Sequence, residues 1–272
     1  MRGCNPGFVV TSDGVVVIDT PQLPASAVRM RKEAEKHGQI KYLINTEHHV
    51  DHIFGNYFFQ GAGTVISHAE VLKEFMVVYP QINPYEYARE AVPTDDPQDE
   101  ALFPDKETYF ANMNAPTVTF RGDTTLHMGD TTLELICTPG HTQGQIAVHI
   151  PERKVLFSAD TIFHGVQTWH YASNIEQWIS SLKKLKTLDM DTIVPGHGPV
   201  CDKSQIDVQI SFLHEWLFEV SACVAKGMSE EECLKHINLR DRFPVDIGQE
   251  YMLDHVIKNN VSSLYRKFLE NA

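Results

Sequence analysis

The chain has 272 residues, 42% hydrophobic and 22% charged, enough to bury a large core in one large or two small domains. Its formal charge of −13 disfavours a nonspecific binder of nucleic acid or of anionic membranes. The longest apolar runs, such as residues 15–18, are strand-sized and leave no membrane-spanning helix, and the charge blocks and low-complexity tracts that signal disorder are absent.

The opening MRGCNPGFVV lacks the apolar stretch of a secretory signal, and strand-like sequence begins almost at once; the reading is a cytoplasmic protein, with a trimmed leader as the alternative. Five cysteines (Cys4, Cys137, Cys201, Cys223 and Cys233) are odd in number and form no CxxC pair, which indicates reduced thiols rather than a disulfide framework. Residues 8–11 and 15–19 are β-branched runs around Ser12-Asp13-Gly14, a hairpin pattern. Pro21 and Pro24 open a helix over 25–37 that Gly38 ends. A buried strand at 40–45 leads into a His-rich segment at 46–55, and a strand at 64–67 precedes a helix from about residue 69. Residues 80–116 carry Pro80, Pro84, Pro93, Pro97, Pro104 and Pro116, several aromatics and an acidic cluster at 95–100; the segment is predicted to be a functional loop or lid. Strands resume at 117–120, 124–127, 131–136, 146–150 and 155–158, then a helix at 175–188, a strand at 192–194 and helical sequence to the end. In that tail Ile206, Ile210, Leu213, Leu217, Val220 and Val224 form an apolar stripe, read either as packing on the domain's own sheet or as a homodimer seam.

This order suits an α/β sandwich with helices outside two mixed sheets, not a regular parallel βαβ array. Neither GxGxxG nor GxxxxGK[ST] is present, and no GxSxG nucleophile elbow appears. Fourteen histidines turn attention to metals. In Thr46-Glu47-His48-His49-Val50-Asp51-His52, the residues Glu47, His49, Asp51 and His52 are metal-ligand types on a loop leaving a strand. Three more turns place one such residue just past a strand: His141 in Thr138-Pro139-Gly140-His141, Asp160 in Ser158-Ala159-Asp160, and His197 in Pro195-Gly196-His197-Gly198.

These four motifs, in this order, resemble the metallo-β-lactamase superfamily, whose pattern is HxHxDH, a PGH turn, an Asp after a strand and a second GH turn; the resemblance spans roughly residues 5–205. It implies a four-layer αβ/βα sandwich with a metallo-hydrolase domain over 1–205, the 80–116 segment inserted as a lid, and a helical C-terminal extension over 206–272. It also implies two metal sites: Glu47, His49 and His141 for the first ion, Asp51, His52 and His197 for the second, and Asp160 between them. Zinc is the implied metal, two per chain, with Mn2+ or Fe2+ as alternatives. The sequence departs from the family in one ligand, since Glu47 stands where the first histidine belongs, and Asp51-His52 fixes the register against His48 taking its place. A carboxylate there makes the cluster less positive, so water held by it is acidified less, and added oxygen ligation favours Mn or Fe somewhat more than usual. His48 is read as pointing away from the ions.

The activity implied is hydrolysis of a small molecule by a metal-bridging hydroxide that attacks a carbonyl-like carbon, with Asp51 and Asp160 as the catalytic carboxylates. Amides or lactams, lactones, esters and thioesters are the expected substrates, with an isothiocyanate-type carbon as a remote option. His164, Trp169 and His170, in the loop after Asp160, and Tyr109, from the insertion, are the candidate substrate-binding residues. Alternatives are a di-iron oxidoreductase and a metal-free binding protein on the same fold.

Overall fold

The computed structural model describes residues 3–77, 84–95, 97–171, 173–246 and 248–270. Strands β1 (Gly7–Thr11) and β2 (Gly14–Ile18) form the antiparallel hairpin, and β3 (Ile40–Asn45), β4 (Thr64–His68) and β5 (Val118–Phe120) extend it in parallel to make a five-stranded sheet of order β1-β2-β3-β4-β5. The second sheet runs β10-β9-β8-β7-β6, with β6 (Thr124–Met128), β7 (Thr131–Cys137), β8 (Ile146–Ile150) and β9 (Val155–Phe163) successively antiparallel and β10 (Thr192–His197) parallel to β9.

Side chains alternate across each strand, and this alternation builds the layers. Val9, Val16, Ile18, Ile44 and Ile66 of the first sheet face Leu133, Leu135, Ile146, Val148 and Ile150 of the second to form the inter-sheet core. Val15, Val17, Leu43 and Val65 point the other way, onto Ala27 and Ala34 of α1 (Pro24–Lys36) and onto Phe59 and Ala62, which follow the single-turn helix α2 (Val50–Ile53). The outer face of the second sheet receives the remaining large helices. The result is a four-layer αβ/βα sandwich.

Between β4 and β5 of the first sheet the chain forms α3 (Ala69–Val77), α4 (Pro84–Asp95), a 3-10 turn and α5 (Lys106–Ala111). The stretch expected as irregular loop is thus helical where described; residues 78–83 and 96 lie outside the described residues. Its prolines mask the helices, yet Pro84 opens α4, a position where the missing N–H costs nothing. After β9, α6 (Ile175–Leu185) lays Ile175, Trp178, Ile179, Leu182 and Leu185 on the sheet. Then follow α7 (Gln205–Ala225), α8 (Glu230–His236) and α9 (Leu253–Glu270).

The 206–224 stripe packs against other elements of the chain. Ile206, Leu213 and Val220 are fully buried, and Ile210, Leu217 and Val224 pack against the same cluster, together with Ile257, Val261 and Leu264 of α9. The stripe is covered within the chain. Among the described residues no helix is long and apolar enough to cross a membrane.

Candidate metal centre

The predicted ligands converge at one end of the sandwich, where β3, β7, β9 and β10 deliver their C-terminal ends. The loop after β3 is tied down first: Thr46 N–H donates to Asp19 Oδ1 at 2.8 Å, and Ile146 N–H of the second sheet donates to the Thr46 carbonyl at 2.9 Å. Residue 49 then caps the short helix α2, which presents Asp51 and His52. On the other side, Gly140 (φ +149°) lets the turn press against α6, where a Cβ would stand 2.3 Å from the Trp178 Cα. Asn174 N–H and the Ser181 hydroxyl, at 2.7 Å each, hold the carbonyls of Gly140 and Pro139.

Asp160 is not beyond its strand, as expected, but inside it. β9 runs on to Phe163 because Ala159 takes a left-handed conformation (φ +46°) where the β9–β10 register slips between Val194 and Pro195. Such a bulge re-aims a side chain at a site. Opposite it, position 196 must be glycine: a Cβ there would lie 1.9 Å from Asp160 Oδ1.

Two groups of ligand atoms result, each with all its atoms within 4.8 Å of one another: Glu47, His49, His141 and Asp160, and Asp51, His52 and His197. Asp160 faces both. Its Oδ2 is 3.3 Å from His141 Nε2, while its Oδ1 is 3.2 Å from His52 Nε2 and 3.4 Å from His197 Nε2. His197 Nε2 also lies 3.3 Å from Asp51 Oδ2. Glu47 is fully buried, with Oε2 3.0 Å from His49 Nδ1 and Oε1 3.4 Å from His52 Nε2 and 3.9 Å from His141 Nε2. Neither Glu47 oxygen accepts an aligned hydrogen bond. A buried carboxylate left in that state is costly unless a cation meets it.

The electrostatics point the same way. Burial pushes the Asp160 carboxyl up, but the charges of His197 and His52 and hydrogen bonds from His141 and His197 outweigh it and hold it well below the usual range. Burial likewise opposes ionisation of Asp51 and Glu47, yet the neighbouring imidazoles hold Asp51 at about 2 and Glu47 below its ordinary value. The reverse applies to His52 and His197, which burial would lower but the surrounding acids raise well above normal. The acids and imidazoles of the nest thus stabilise one another's charged forms. Nitrogen and carboxylate donors in this number suit zinc, manganese or iron, and the buried Glu47 carboxylate, with no aligned hydrogen bond, fits such an ion.

Two outer carboxylates escaped the sequence reading. Asp19 Oδ2 accepts from His52 Nδ1 at 2.9 Å, and Asp246 Oδ2 from His197 Nδ1 at 2.9 Å. Each fixes the tautomer that turns the Nε2 lone pair inward. Neither acid lies in a motif, although Asp19 carries its own mark, a left-handed φ of +54°. Cys4, Asp19 and His52 form a third close group, in which Asp19 is already engaged by Thr46 and His52.

The substrate-binding expectations fare differently. Tyr109 is fully buried, stacked on Phe54 at 4.5 Å in an aromatic cluster with Tyr85 and Phe103; it is a core residue because the insertion needs a core of its own. His170 is also fully buried, its Nε2 2.8 Å from the Thr168 hydroxyl and its ring against Trp178 and Trp216; burial drops it to about 3, so it is a neutral packing residue behind His141. His164 bonds the Pro199 carbonyl through Nδ1 at 2.8 Å. Trp169 stacks on Tyr171 at 5.5 Å. His48 belongs to neither ligand group, and burial brings its imidazole down to about 3. α4 packs on α2, the helix bearing Asp51 and His52.

Known proteins resemble this chain. A sequence model described as the metallo-beta-lactamase superfamily matches residues 1–197. The beta-lactamase-like protein 2 homolog of Caenorhabditis elegans is 43% identical over 140 residues, covering 52% of this chain and 45% of that protein. The linear primary-alkylsulfatase of a Pseudomonas strain is 21% identical over 298 residues, covering 96% of this chain and 55% of its own. The chain thus spans about half the length of these curated relatives. A solved metallo-beta-lactamase family protein of Thermus thermophilus has the same fold, with a TM-score of 0.66 at 17% identity over 99% of this chain and 89% of that one.

Proposed function

The chain belongs to the metallo-β-lactamase superfamily, and we propose that it is a hydrolase of small molecules that works with two divalent ions, zinc first and manganese or iron next. The observation that carries this is buried Asp160, one oxygen toward each half of a ring of imidazoles and carboxylates. In this reading Glu47, His49 and His141 hold one ion, Asp51, His52 and His197 the other, and Asp160 lies between.

Bound there, the ions supply Lewis acidity, making water acidic and stabilising negative charge that develops on a substrate oxygen. The chain's own residues do the rest. Asp19 and Asp246 take the Nδ1 protons of His52 and His197 and keep both rings fixed. Asp51, more open to solvent than Asp160 and held ionised by its imidazole neighbours, would serve the second ion as a carboxylate. The helices of the 80–116 segment, through α4 on α2, form the wall over the centre. Tyr171, exposed and stacked on Trp169 in the loop after β9, offers an aromatic surface to a small molecule with an apolar group next to its electrophilic carbon. Five cysteines with no disulfide among them support a cytoplasmic setting.

The test is metal analysis of protein purified without chelator, followed by a hydrolysis screen over lactams, lactones, esters, thioesters and amides. The alkylsulfatase relative adds alkyl sulfates to that screen. Two equivalents of metal and hydrolysis of one class are expected. A protein that takes up no metal, or one that holds iron and turns over only redox substrates, overturns the proposal.

A further inference from the structure

We propose that Gly3-Cys4-Asn5 is a positioning strap that sets Asp51 against His197 in the second half of the metal centre. The inference rests on the two-ion reading above. Asp51 and His197 come from different sheets, α2 after the first and the end of β10 in the second, and no strand pairing joins the two segments. Yet Asp51 Oδ2 and His197 Nε2 lie 3.3 Å apart.

The strap spans that gap with bonds on both sides. Gly3 has φ +96°, and a Cβ there would come within 3.1 Å of the Asp51 Cβ, so the backbone lies flush against the ligand's own stem. Cys4 is buried, and its Sγ–H donates to the Asp51 carbonyl at 3.0 Å. Asn5 grips the other side. Its backbone N–H donates to the Gly196 carbonyl at 2.8 Å, and its side-chain Nδ2 to the carbonyls of Pro195 at 3.0 Å and Gly198 at 2.7 Å. Three carbonyls bracketing His197 thus converge on one residue. A primary amide suits this place because one nitrogen offers two N–H donors in a plane. A carboxylate of the same shape would set acceptor against acceptor.

Support of this kind, one shell removed from a metal, is typically worth about 10- to 100-fold in metal affinity. The strap's bonds fall on Asp51 and on the His197 turn, so its loss should weaken one ion and spare the other. Asn5→Asp, Asn5→Ala, Cys4→Ala and Cys4→Ser proteins are to be titrated with Zn2+ against a chromophoric chelator, with the melting temperature of each metal-free protein measured in parallel. An Asp51→Asn protein serves as reference, and Co2+ absorption spectra identify which ion remains. In the Asn5 variants one ion is expected at wild-type affinity and the other about tenfold or more weaker, the retained ion giving the Co2+ spectrum of Asp51→Asn. Cys4→Ser keeps a donor and should stay near wild type, with Cys4→Ala weaker. Folded Asn5 variants that bind both ions as wild type does overturn the strap, and so does equal weakening of both ions with a lowered metal-free melting temperature, the mark of a merely structural role. A wild-type chain that binds no Zn2+ instead overturns the metal reading on which the strap depends.

Discussion

Replacing Glu47 by Gln tests the departure at the heart of the centre. The change keeps shape and volume but removes a fully buried charge whose oxygens accept no aligned hydrogen bond. In the metal-free protein the loss of that unsatisfied carboxylate relieves a desolvation cost, while His49, 3.0 Å away, loses its counter-charge; these oppose, and the net change in melting temperature should be small. With metal the balance differs. If the first site weakens about 100-fold, an upper figure for damage one shell from a metal and thus conservative for a ligand, the linkage stabilisation at ion concentration 100 times the wild-type Kd falls from about 2.7 to about 0.4 kcal/mol. At roughly 2–4 °C per kcal/mol for a chain of this size, the metal-loaded protein should melt about 5–9 °C below wild type. Scanning calorimetry with and without Zn2+, alongside stepwise titration, reads both quantities. Glu47→Gln protein with unchanged affinity for both ions and an unchanged metal-loaded melting temperature would show that Glu47 is no ligand, and that the first site is completed by something else.

Asp160→Asn should lose at least one ion and hydrolytic turnover together, because the two carboxylate oxygens face separate imidazole sets; full occupancy by metal analysis would sink the bridging assignment. Gly196→Ala drives a methyl group into Asp160 and should destabilise the fold by the amount typical of overpacking, about 1–3 kcal/mol, and impair metal uptake; a protein as stable as wild type would mean the β9–β10 bulge yields easily. Burial pushes the thiols of Cys201 and Cys233 up to about 11 and raises that of Cys137. A raised thiol stays protonated at pH 8, so a disulfide reagent should label the folded protein slowly there and faster as pH climbs toward 11; rapid labelling of all five cysteines at pH 8 contradicts this.

The convergence of the candidate ligands was legible because each is chemically distinctive and, apart from Asp160 inside β9, sits in a short motif at a strand end. Glu47, His49, Asp51 and His52 needed only local spacing, and His141, Asp160 and His197 only a Pro or Gly turn or a strand edge. The partners Asp19 and Asp246 were not legible, since a lone aspartate has no spacing signature and acquires its role only when a distant imidazole is folded onto it. Aromatic residues misled for a related reason: Tyr109 and His170 have pocket-like composition, and only packing reveals that they fill cores. The α7 stripe was correctly seen as a buried face, but a periodic pattern does not say what buries it, and the answer, α9, lies some forty residues downstream.

The hydrogen bond between His197 and Asp246 bears on how this chain comes off the ribosome. All seven candidate ligands have been synthesised once β10 is complete, yet the acid that orients the last of them arrives only with the segment between α8 and α9, near the end of the 272 residues. A nascent chain, or an expression fragment cut at residue 205, therefore owns every ligand and still presents His197 with its Nδ1 proton unassigned. If the centre binds metal as proposed, capture at that half would be a late event in biogenesis, timed by docking of the helical tail. Fusion junctions and split-protein designs built on this chain should accordingly fall beyond residue 246 rather than at the boundary the motifs suggest.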